Sequence, residues 1–322
     1  MSLTIYHGNE DWILKGFGLD IEKAFRALYP AYPLQRLESF TKKVGQSKYH
    51  FFVQQGQLSA FVQKNGSELL PHSICIFTHF DVNQFPVKIL NQCRAVFFMS
   101  SSQLSIAVAN GLDSTRSYVV PLGVDQELHK ILNSEQIIQL QANNKFLSSL
   151  SGRNAIGFCL RYWDKSAYTR RKRYELIMKV IDILSNQLGI PVIVLGPGWD
   201  DCSFKITGDK IIYASAKYKD YPYFYNMMKV FCSLSLHEGG PMPLLESLSC
   251  GASPVVTNTG FAFDVLGGRS DYLALSVDAS IDMIIARILD SYHRPPVIEK
   301  NRTLATPFSF ENAARKIMSI IE

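Results

Sequence analysis

The stretch LHEGGPMPLLESLSCGASPVVTNTG, residues 236–260, decides the fold class of this chain. It follows the apolar run VFCSLSL, which predicts a buried strand, and it contains the β-rich run SPVV. Pro241 and Pro243 suit the start of a helix, where a missing backbone N–H does no harm, and Gly251 suits a left-handed cap just past the helix end. The stretch therefore predicts a strand–loop–helix–strand unit of an α/β fold.

Two glutamates frame the loop of this unit. Glu238 leaves the predicted strand at its carboxyl end, beside Gly239 and Gly240, whose missing side chains let a ligand approach the backbone closely. The free amides at the start of the next helix favour a phosphate or a developing anion. Glu246 lies on that helix, near its first turn, and a carboxylate there can accept both hydroxyls of a ribose. The structural alternative is that Glu246 only complements the helix dipole and that Glu238 is a solvated loop acid.

Short apolar strands alternate with helical patterns along most of the chain. The predicted strands are LTIY, YHFFV, SICIFT, AVFFM and SYVVP in the first part and AIGFCL, PVIVLG, KIIYAS, VFCSLSL, SPVVTN and DYLALS in the second. This alternation predicts parallel sheets covered by helices on both faces. A polar stretch at about 126–152 separates two α/β halves, and a cleft between these halves is the expected ligand site.

The composition indicates a globular protein of two domains. The 322 residues suffice for two domains of roughly 150 residues each. No apolar run is long enough to span a bilayer, and the N-terminus lacks the pattern of a signal peptide. Six scattered cysteines without a C-x-x-C pair favour reduced core thiols, and we expect a cytoplasmic protein. The net charge of +5 suits an anionic small ligand and is too mild for a nucleic-acid binder.

The segment HEGGPMPLLESLSCGASPVV resembles the E-x7-E signature of retaining GT-B glycosyltransferases, in particular glycosyltransferase family 4 of the group 1 type. Glu238 and Glu246 have seven residues between them, as this signature requires. Pro241 departs from the pattern, because many members have Gly there, and it removes a backbone N–H from the loop. VVPLGVD, KDYPYFYNMMKVFCSLS and FSFENAARKIMSIIE resemble further segments of the family. The resemblance covers roughly residues 74–322 and is weak before residue 74.

The resemblance implies the GT-B fold, in which two Rossmann-like domains face each other across a cleft. We expect a small N-terminal acceptor domain at 1–135, a linker at 136–152 and a C-terminal nucleotide-sugar donor domain at 153–305. A last helix at 306–322 would pack back on the N-terminal domain.

The resemblance also implies roles for single residues. In IGFCLRYWDKSAYTRRKRYELIMKVIDIL, Arg161 and Lys172 match the family's diphosphate-binding pair, and Arg173 stands where the family has Gly. Both cations would stabilise the departing nucleoside diphosphate. Glu238 would bind sugar hydroxyls and steady the positive charge at the anomeric carbon, and Glu246 would hold the ribose. The donor-binding candidates, besides Glu246, are Gly239, Gly240, Met242, Pro243, Leu244, Tyr218 and Gly16.

Three of the candidates carry a structural alternative. His79 ends the predicted strand SICIFT, and in the family a His near here contacts the donor sugar, although a strand-end His can also cap the next helix. Gly16 and Gly18 precede a predicted helix and are similar to a glycine turn at the donor phosphate, although they can form a simple turn. Tyr218 is a candidate to stack on the base, although such a Tyr can be a partly buried loop residue.

The implied activity is transfer of a sugar from a nucleotide-diphosphate donor to a hydroxyl of a glycan, lipid or small-molecule acceptor, with retention of anomeric configuration. No Asp-x-Asp pair occurs in the sequence, so we expect no metal and no other cofactor. Two alternatives stay open: a non-catalytic glycan- or partner-binding protein, and a GT-B sugar-nucleotide epimerase or hydrolase. The basic cluster TRRKR at 169–173 favours a solvated face, and peripheral contact with anionic lipid at the inner membrane face is its alternative.

Overall fold

The structure is a computed structural model, and it describes residues 2–7, 13–38, 47–53, 55–78, 87–143, 147–150, 152–269, 272 and 274–322. The chain divides into two units. The first consists of Met1–Asp125 together with Phe308–Glu322, and the second is Gln126–Pro307. The chain therefore leaves the first unit once and returns to it for its last segment.

The strands of both units are short. In chain order they are β1 (Leu3–His7), β2 (Leu34–Glu38), β3 (Tyr49–Phe52), β4 (Ser73–Phe77), β5 (Ala95–Phe98), β6 (Ser117–Val119), β7 (Ala155–Cys159), β8 (Val192–Leu195), β9 (Ile211–Ala214), β10 (Met228–Ser233) and β11 (Ser253–Val256).

Helices connect most of these strands. In chain order they are α1 (Ile13–Leu28), α2 (Gln55–Asn65), α3 (Val87–Leu90), α4 (Ser101–Ala109), α5 (Ser134–Asn143), α6 (Ser166–Lys172), α7 (Tyr174–Asp182), α8 (Tyr221–Met227), α9 (Met242–Ser249), α10 (Ala262–Leu266), α11 (Ile281–His293), α12 (Ile298–Ala305) and α13 (Phe310–Ile321).

The first unit is built on a six-stranded sheet in the order β2-β1-β3-β4-β5-β6. All of its neighbouring strand pairs run parallel. Strands β3 and β4 are buried along their whole length, because helices cover the sheet on both faces. Strand β2, with the sequence LQRLE, lies at the edge of the sheet. Its polar residues do not form an apolar run, so the sequence did not predict this strand.

Helix α13 completes the first unit by packing against α1. The rings of Phe17 and Phe310 lie 6.2 Å apart between their centroids. Gly123 approaches the start of this segment so closely that a Cβ there would lie 2.0 Å from the carbonyl carbon of Ser309. The C-terminal segment is therefore a built-in part of the first unit.

The second unit is built on a five-stranded parallel sheet in the order β11-β10-β7-β8-β9. The predicted strand DYLALS is wrong for its described residues, because Leu275 makes only an isolated bridge with Thr257. Residues 126–135, which the sequence placed in the first domain, lie in this unit. The Asn226 side chain accounts for this, since it bonds the backbone of Lys130 and Leu132.

The prediction of two parallel, helix-covered α/β sheets is confirmed. The six cysteines are free thiols, as expected, and only Cys159 is partly exposed. None of the helices described here combines the length and the apolar character that a bilayer crossing requires.

Candidate functional site

The candidate site lies at the carboxyl edge of the second sheet, where the strand order reverses. The chain runs from β7 outward to β8 and β9, and it then crosses to β10 on the other side of β7. The loops after β7 and β10 therefore diverge at this point, which is where open α/β sheets bind ligands. Arg161 and Lys172 follow β7, and Glu238 follows β10.

The structure brings Lys172 and Glu238 together in an ion pair between Nζ and Oε1. Both side chains are largely buried, with 16% of Lys172 and 7% of Glu238 exposed. The Leu236 N–H donates to the carbonyl oxygen of Arg171 at 2.8 Å, which ties the end of α6 to the glutamate loop. Two residues that are 66 positions apart thus form one charged centre.

The electrostatics of this centre favour an ionised Glu238. Burial alone raises the pKa of Glu238, but the charge and hydrogen bond of Lys172 oppose burial, together with a hydrogen bond from Ser235 and the charge of Arg171. The net result is a pKa of Glu238 below its ordinary value. The carboxylate is therefore an acceptor of hydrogen bonds at neutral pH.

Arg161, which follows β7, makes a different contact. Its side chain is exposed, and its guanidinium carbon lies 5.7 Å from the ring centroid of Trp163. The ammonium of Lys165 lies 4.0 Å from the centroid of the same ring. The Tyr174 hydroxyl donates to the Arg161 carbonyl oxygen and so fixes the backbone where β7 ends. Arg161 is thus available to a ligand at this edge.

Arg173 holds the left-handed conformation that a glycine would adopt easily. Its φ is 56° and its ψ is 45°, between the end of α6 and the start of α7. An L side chain is strained in this region. The Arg173 guanidinium donates to the carbonyl oxygen of Val277 at 2.8 Å, which offsets part of that strain. The glycine position of the family segment therefore keeps its backbone shape here.

Hydroxyl groups, and no cation of the described residues, hold Glu246. It lies in the second turn of α9 and is only 1% exposed. The Tyr218 hydroxyl donates to Oε1 at 2.8 Å, and the Tyr225 hydroxyl donates to Oε2 at 2.6 Å. The sequence analysis predicted that Tyr218 stacks on the base of the nucleotide. In the structure its hydroxyl donates a hydrogen bond to Glu246, the residue predicted to bind the ribose.

Sequence reasoning missed the residues that support this second carboxylate. The ring of His129, which is fully buried, lies 5.6 Å from the ring of Tyr218 and 6.0 Å from that of Tyr225. Burial raises the pKa of Tyr225, and the charges of Cys159 and Glu246 add to that rise. A tyrosine in the helical pattern YPYFYNMMK predicts core packing, so the pattern carried no signal for this role.

A buried polar network holds the segment of His129 in place. Arg153 donates to the Asn226 side-chain oxygen at 2.8 Å and to the carbonyl oxygen of Cys250 at 2.7 Å. The same Asn226 oxygen accepts the Leu132 N–H at 2.9 Å, and the Asn226 amide donates to the Lys130 carbonyl oxygen at 2.9 Å. Helices α8 and α9 are thus linked to the segment that supports Tyr218 and Tyr225.

The first turn of α9, after the glycine loop, keeps its large side chains inside. Met242 and Leu244 are buried, at 3% and 0% exposure, so only their backbone is suited to a ligand. Pro241 caps α9 without a side-chain hydrogen bond, and Pro243 lies within its first two positions, as predicted. Gly251 has a φ of 88°, which confirms the predicted left-handed cap.

Close approach requires a glycine at one more position of this edge. A Cβ on Gly260 would lie 2.8 Å from the Gly239 carbonyl oxygen and 3.0 Å from that of Glu238. The turn after β11 therefore supports the backbone of Gly239, which is itself buried, and of the half-buried Gly240 beside it.

The predicted glycine turn in the first unit is wrong. Gly16 and Gly18 lie inside α1, which begins at Ile13, rather than before it. A Cβ on Gly18 would lie 2.7 Å from the Cβ of His7, so this glycine lets the helix approach β1. Gly16 has open space around its Cβ position. His79 lies outside the described residues.

Residues 165–305 match the family model of "Glycosyl transferases group 1". These residues form a group 1 glycosyltransferase domain. The matched range includes Lys172, Glu238 and Glu246. No curated protein matches the chain.

Solved structures show the fold of the whole chain. Anabaena Alr3699/HepE in complex with UDP and glucose is 14% identical with a TM-score of 0.72, and the alignment covers 99% of this chain and 98% of that one. Sucrose-phosphate synthase from Thermosynechococcus elongatus is 11% identical with a TM-score of 0.74, at 99% and 98% coverage. The structure of trehalose-6-phosphate from E. coli bound with UDP-2-fluoro glucose is 9% identical with a TM-score of 0.70, at 100% and 99% coverage. The chain therefore has the GT-B fold of two Rossmann-like domains.

Proposed function

We propose that this protein is a retaining glycosyltransferase that transfers a sugar from a nucleoside-diphosphate donor to an acceptor hydroxyl without a metal. The buried Lys172–Glu238 pair at the strand-order reversal of the second sheet is the observation that carries the proposal. A cation stabilises the leaving diphosphate, and an ionised carboxylate binds sugar hydroxyls. Few structural roles require both charges in one buried position.

The diphosphate is held by cations in this proposal. As the glycosidic bond breaks, negative charge develops on the leaving diphosphate, and Lys172 and Arg161 stabilise it. Arg161 is exposed and beside Trp163, so it reaches a ligand without breaking an ion pair in the described part of the chain. The amides at the start of α9 add partial positive charge.

Glu246 binds the ribose in this proposal, although two tyrosines already contact it. Each carboxylate oxygen can accept two hydrogen bonds, and Tyr218 and Tyr225 use one on each oxygen. Among the hydrogen bonds of the described residues, one acceptor position on each oxygen remains for a ribose hydroxyl. The tyrosines fix the carboxylate in one orientation before the donor binds.

In this proposal the acceptor oxygen attacks the anomeric carbon from the same face that the diphosphate leaves. The bond between the anomeric carbon and the diphosphate oxygen breaks, and the acceptor oxygen forms the new bond to that carbon. The acceptor proton passes to the leaving phosphate oxygen. Glu238 steadies the positive charge at the anomeric carbon in this scheme and accepts hydrogen bonds from the donor sugar.

A panel of nucleotides tests the donor site. UDP, GDP, ADP, dTDP, CMP and their common sugar conjugates are added to the wild type, and the melting temperature is measured. UDP is the first choice, because the Anabaena and E. coli structures contain UDP or a UDP-sugar. A ligand that binds the native state raises the melting temperature by mass action.

The matched variants decide between specific and general binding. Lys172→Ala should lose the shift, and Lys179→Ala, an exposed lysine on α7, should keep it. A shift with one nucleoside diphosphate names the base. No shift with any nucleotide would contradict the proposal and would favour a binding protein without transferase activity.

A further inference from the structure

The first unit contains a cavity of about 470 Å³ with a basic lining. The residues that line it are Pro71, Arg94, Thr115, Arg116, Tyr118 and Ile320. Both arginines are exposed, and the cavity has the volume of a site for a small molecule. Two cations at one cavity of this size favour an anionic ligand.

The cavity lies at the amino edge of the first sheet. Arg94 directly precedes β5 and Arg116 directly precedes β6, and these strands are neighbours about 4.8 Å apart. Pro71 lies in the turn before β4, on the other side of β5. The Arg94 N–H donates to the carbonyl oxygens of Leu70 and Ser73, at 3.2 Å and 2.9 Å, which fixes that turn beside Arg94. Open parallel sheets bind substrates at their carboxyl edge, so this cavity lies at the opposite edge of the sheet.

The Arg116 side chain is only loosely held by the fold. Its Nε lies 3.7 Å from Oδ2 of Asp113, and 53% of the side chain is exposed. The hydroxyl and the N–H of Thr115 donate to Asp113 Oδ1, at 2.7 Å and 2.9 Å, and these two bonds lower the pKa of Asp113 more than Arg116 does. An exposed ion pair of this kind contributes little to stability. The Arg116 guanidinium is therefore available to a ligand.

The Arg94 side chain also has donors to spare. One of its terminal nitrogens donates to the Ile320 carbonyl oxygen at 3.3 Å, which ties the cavity to α13. A guanidinium carries five N–H groups, so most of them remain for an anion. Lys316 lies one helical turn before Ile320, and its ammonium is 5.1 Å from the ring centroid of Tyr118. Lys316 thus adds a third positive charge beside the cavity.

We propose that this cavity binds a phosphate monoester. The planar forks of the two arginines offer paired donors to phosphate oxygens, and the phosphate of a monoester carries close to two negative charges at neutral pH. Pro71, Ile320 and the ring of Tyr118 provide apolar contacts for the carbon skeleton of the ligand. Every residue of the site belongs to the first unit, so the site does not depend on the proposed transferase function.

Phenylglyoxal, which reacts with exposed arginines, tests the site residue by residue. The rate of modification of Arg94 and Arg116 is measured by peptide mass spectrometry, with glycerol 3-phosphate as the probe. Both rates should fall by about tenfold when the probe stands at about ten times its dissociation constant, because only the free site reacts. Arg315, which is exposed on α13 and outside the lining, should react at an unchanged rate. Equal slowing at Arg315, or equal protection by sodium chloride of the same ionic strength, would mean general screening and would overturn the inference.

Single variants test whether the two arginines hold one ligand. Arg94→Gln is followed at Arg116, and Arg116→Gln is followed at Arg94. The remaining arginine should need at least about tenfold more probe for the same protection, because a charged hydrogen-bonding partner has been lost. Lys88→Gln removes one charge at an exposed position of α3 and is the matched control, which should leave that concentration unchanged. Unchanged protection in both arginine variants would contradict a shared site.

A second probe distinguishes the two sources of a phosphate monoester. Vesicles of phosphatidylcholine with phosphatidic acid offer it on a lipid headgroup, whereas glycerol 3-phosphate offers it in solution. Protection of Arg94 and Arg116 by glycerol 3-phosphate supports a soluble ligand. Protection by these vesicles alone, and not by vesicles of phosphatidylcholine, assigns the site to a lipid headgroup. Absence of protection by both probes would overturn the inference.

Discussion

The two glutamates of the loop and helix after β10 are held by opposite means. Glu238 is paired with a cation, and Glu246 accepts hydrogen bonds from two neutral hydroxyls. A cation partner lowers the free energy of the ionised form and can be exchanged for a ligand charge during a reaction. Neutral hydroxyls fix a carboxylate in place without adding charge to it. The comparison fits the proposed roles, a reactive centre at Glu238 and a fixed anchor at Glu246.

The largest effect should come from breaking the ion pair. Lys172→Ala and Glu238→Ala should each lower turnover by about 10³-fold, because each removes charge stabilisation of the transition state. The fold should survive, which circular dichroism checks. Breaking a buried pair also destabilises the protein by about 3 kcal/mol. Near-normal sugar transfer by either variant would contradict the roles assigned to the pair.

The double variant separates structure from catalysis. Lys172→Met combined with Glu238→Gln leaves no unpaired buried charge, so it should recover most of the stability lost by the single changes. It should recover none of the turnover. Recovery of turnover together with stability would mean that the pair acts only on the fold.

The second effect tests the anchor. Tyr225→Phe removes a hydrogen bond to a buried carboxylate, and it should lower the free energy of unfolding by about 1.5–3 kcal/mol. Tyr218 is 46% exposed, so Tyr218→Phe should cost less than about 1 kcal/mol. Both changes should raise the KM of the donor more than they lower kcat. Denaturant unfolding and steady-state kinetics measure the two quantities, and an equal loss of stability in both variants would contradict this difference.

The third effect is the pH dependence of the stability that ionised Glu238 contributes. The pKa of Glu238 in the fold is below its ordinary value of 4.5, so its ionised form stabilises the protein above that pH. This contribution is lost as the pH falls through the lowered pKa. The stability difference between wild type and Glu238→Gln should therefore shrink on acidification below about pH 4.5. A difference that grows on acidification would show that the sign is wrong.

The smallest effect should come from Arg173, which positions Lys172 by backbone shape. Arg173→Gly relieves about 1 kcal/mol of left-handed strain and loses a hydrogen bond of similar value to the Val277 carbonyl oxygen. The free energy of unfolding should therefore change by less than about 0.5 kcal/mol, and turnover should stay unchanged. Arg173→Val, with a branched side chain that resists this conformation, is the matched test and should lower both stability and turnover. Equal behaviour of the two variants would mean that the backbone shape is unimportant.

The sequence predicted the parts of the fold that follow simple periodicity. Buried strands such as β4 and β10 are continuous apolar runs, so their positions and the two parallel sheets were recognisable. Strand β2 was missed because an edge strand carries polar residues. Helix α2 was missed because its sequence QGQLSAFVQKN is weakly apolar and has a glycine as its second residue.

The sequence predicted the charged residues of the site, but it did not predict the uncharged residues near Glu246. Glu238, Lys172 and Glu246 stand in a recognisable spacing, and the structure joins the first two. Tyr225 donates to Glu246 and His129 packs against Tyr225, although the three residues lie in distant parts of the chain. Such tertiary contacts have no local pattern. Gly16 was misplaced because a short G-x-G favours a turn, whereas the apolar face of α1 favours helix through it.

The return of residues Phe308–Glu322 to the first unit sets the order in which that unit can be assembled during synthesis. Residues up to 125 emerge from the ribosome first, yet α13 can cover α1 only after the whole second unit has been made. Until then the face of α1 around Phe17 that packs on Phe310 stays open to chaperones or to other chains. A chain that stops before residue 308 keeps that face open for good. The docking of α13 therefore follows the synthesis of the second unit.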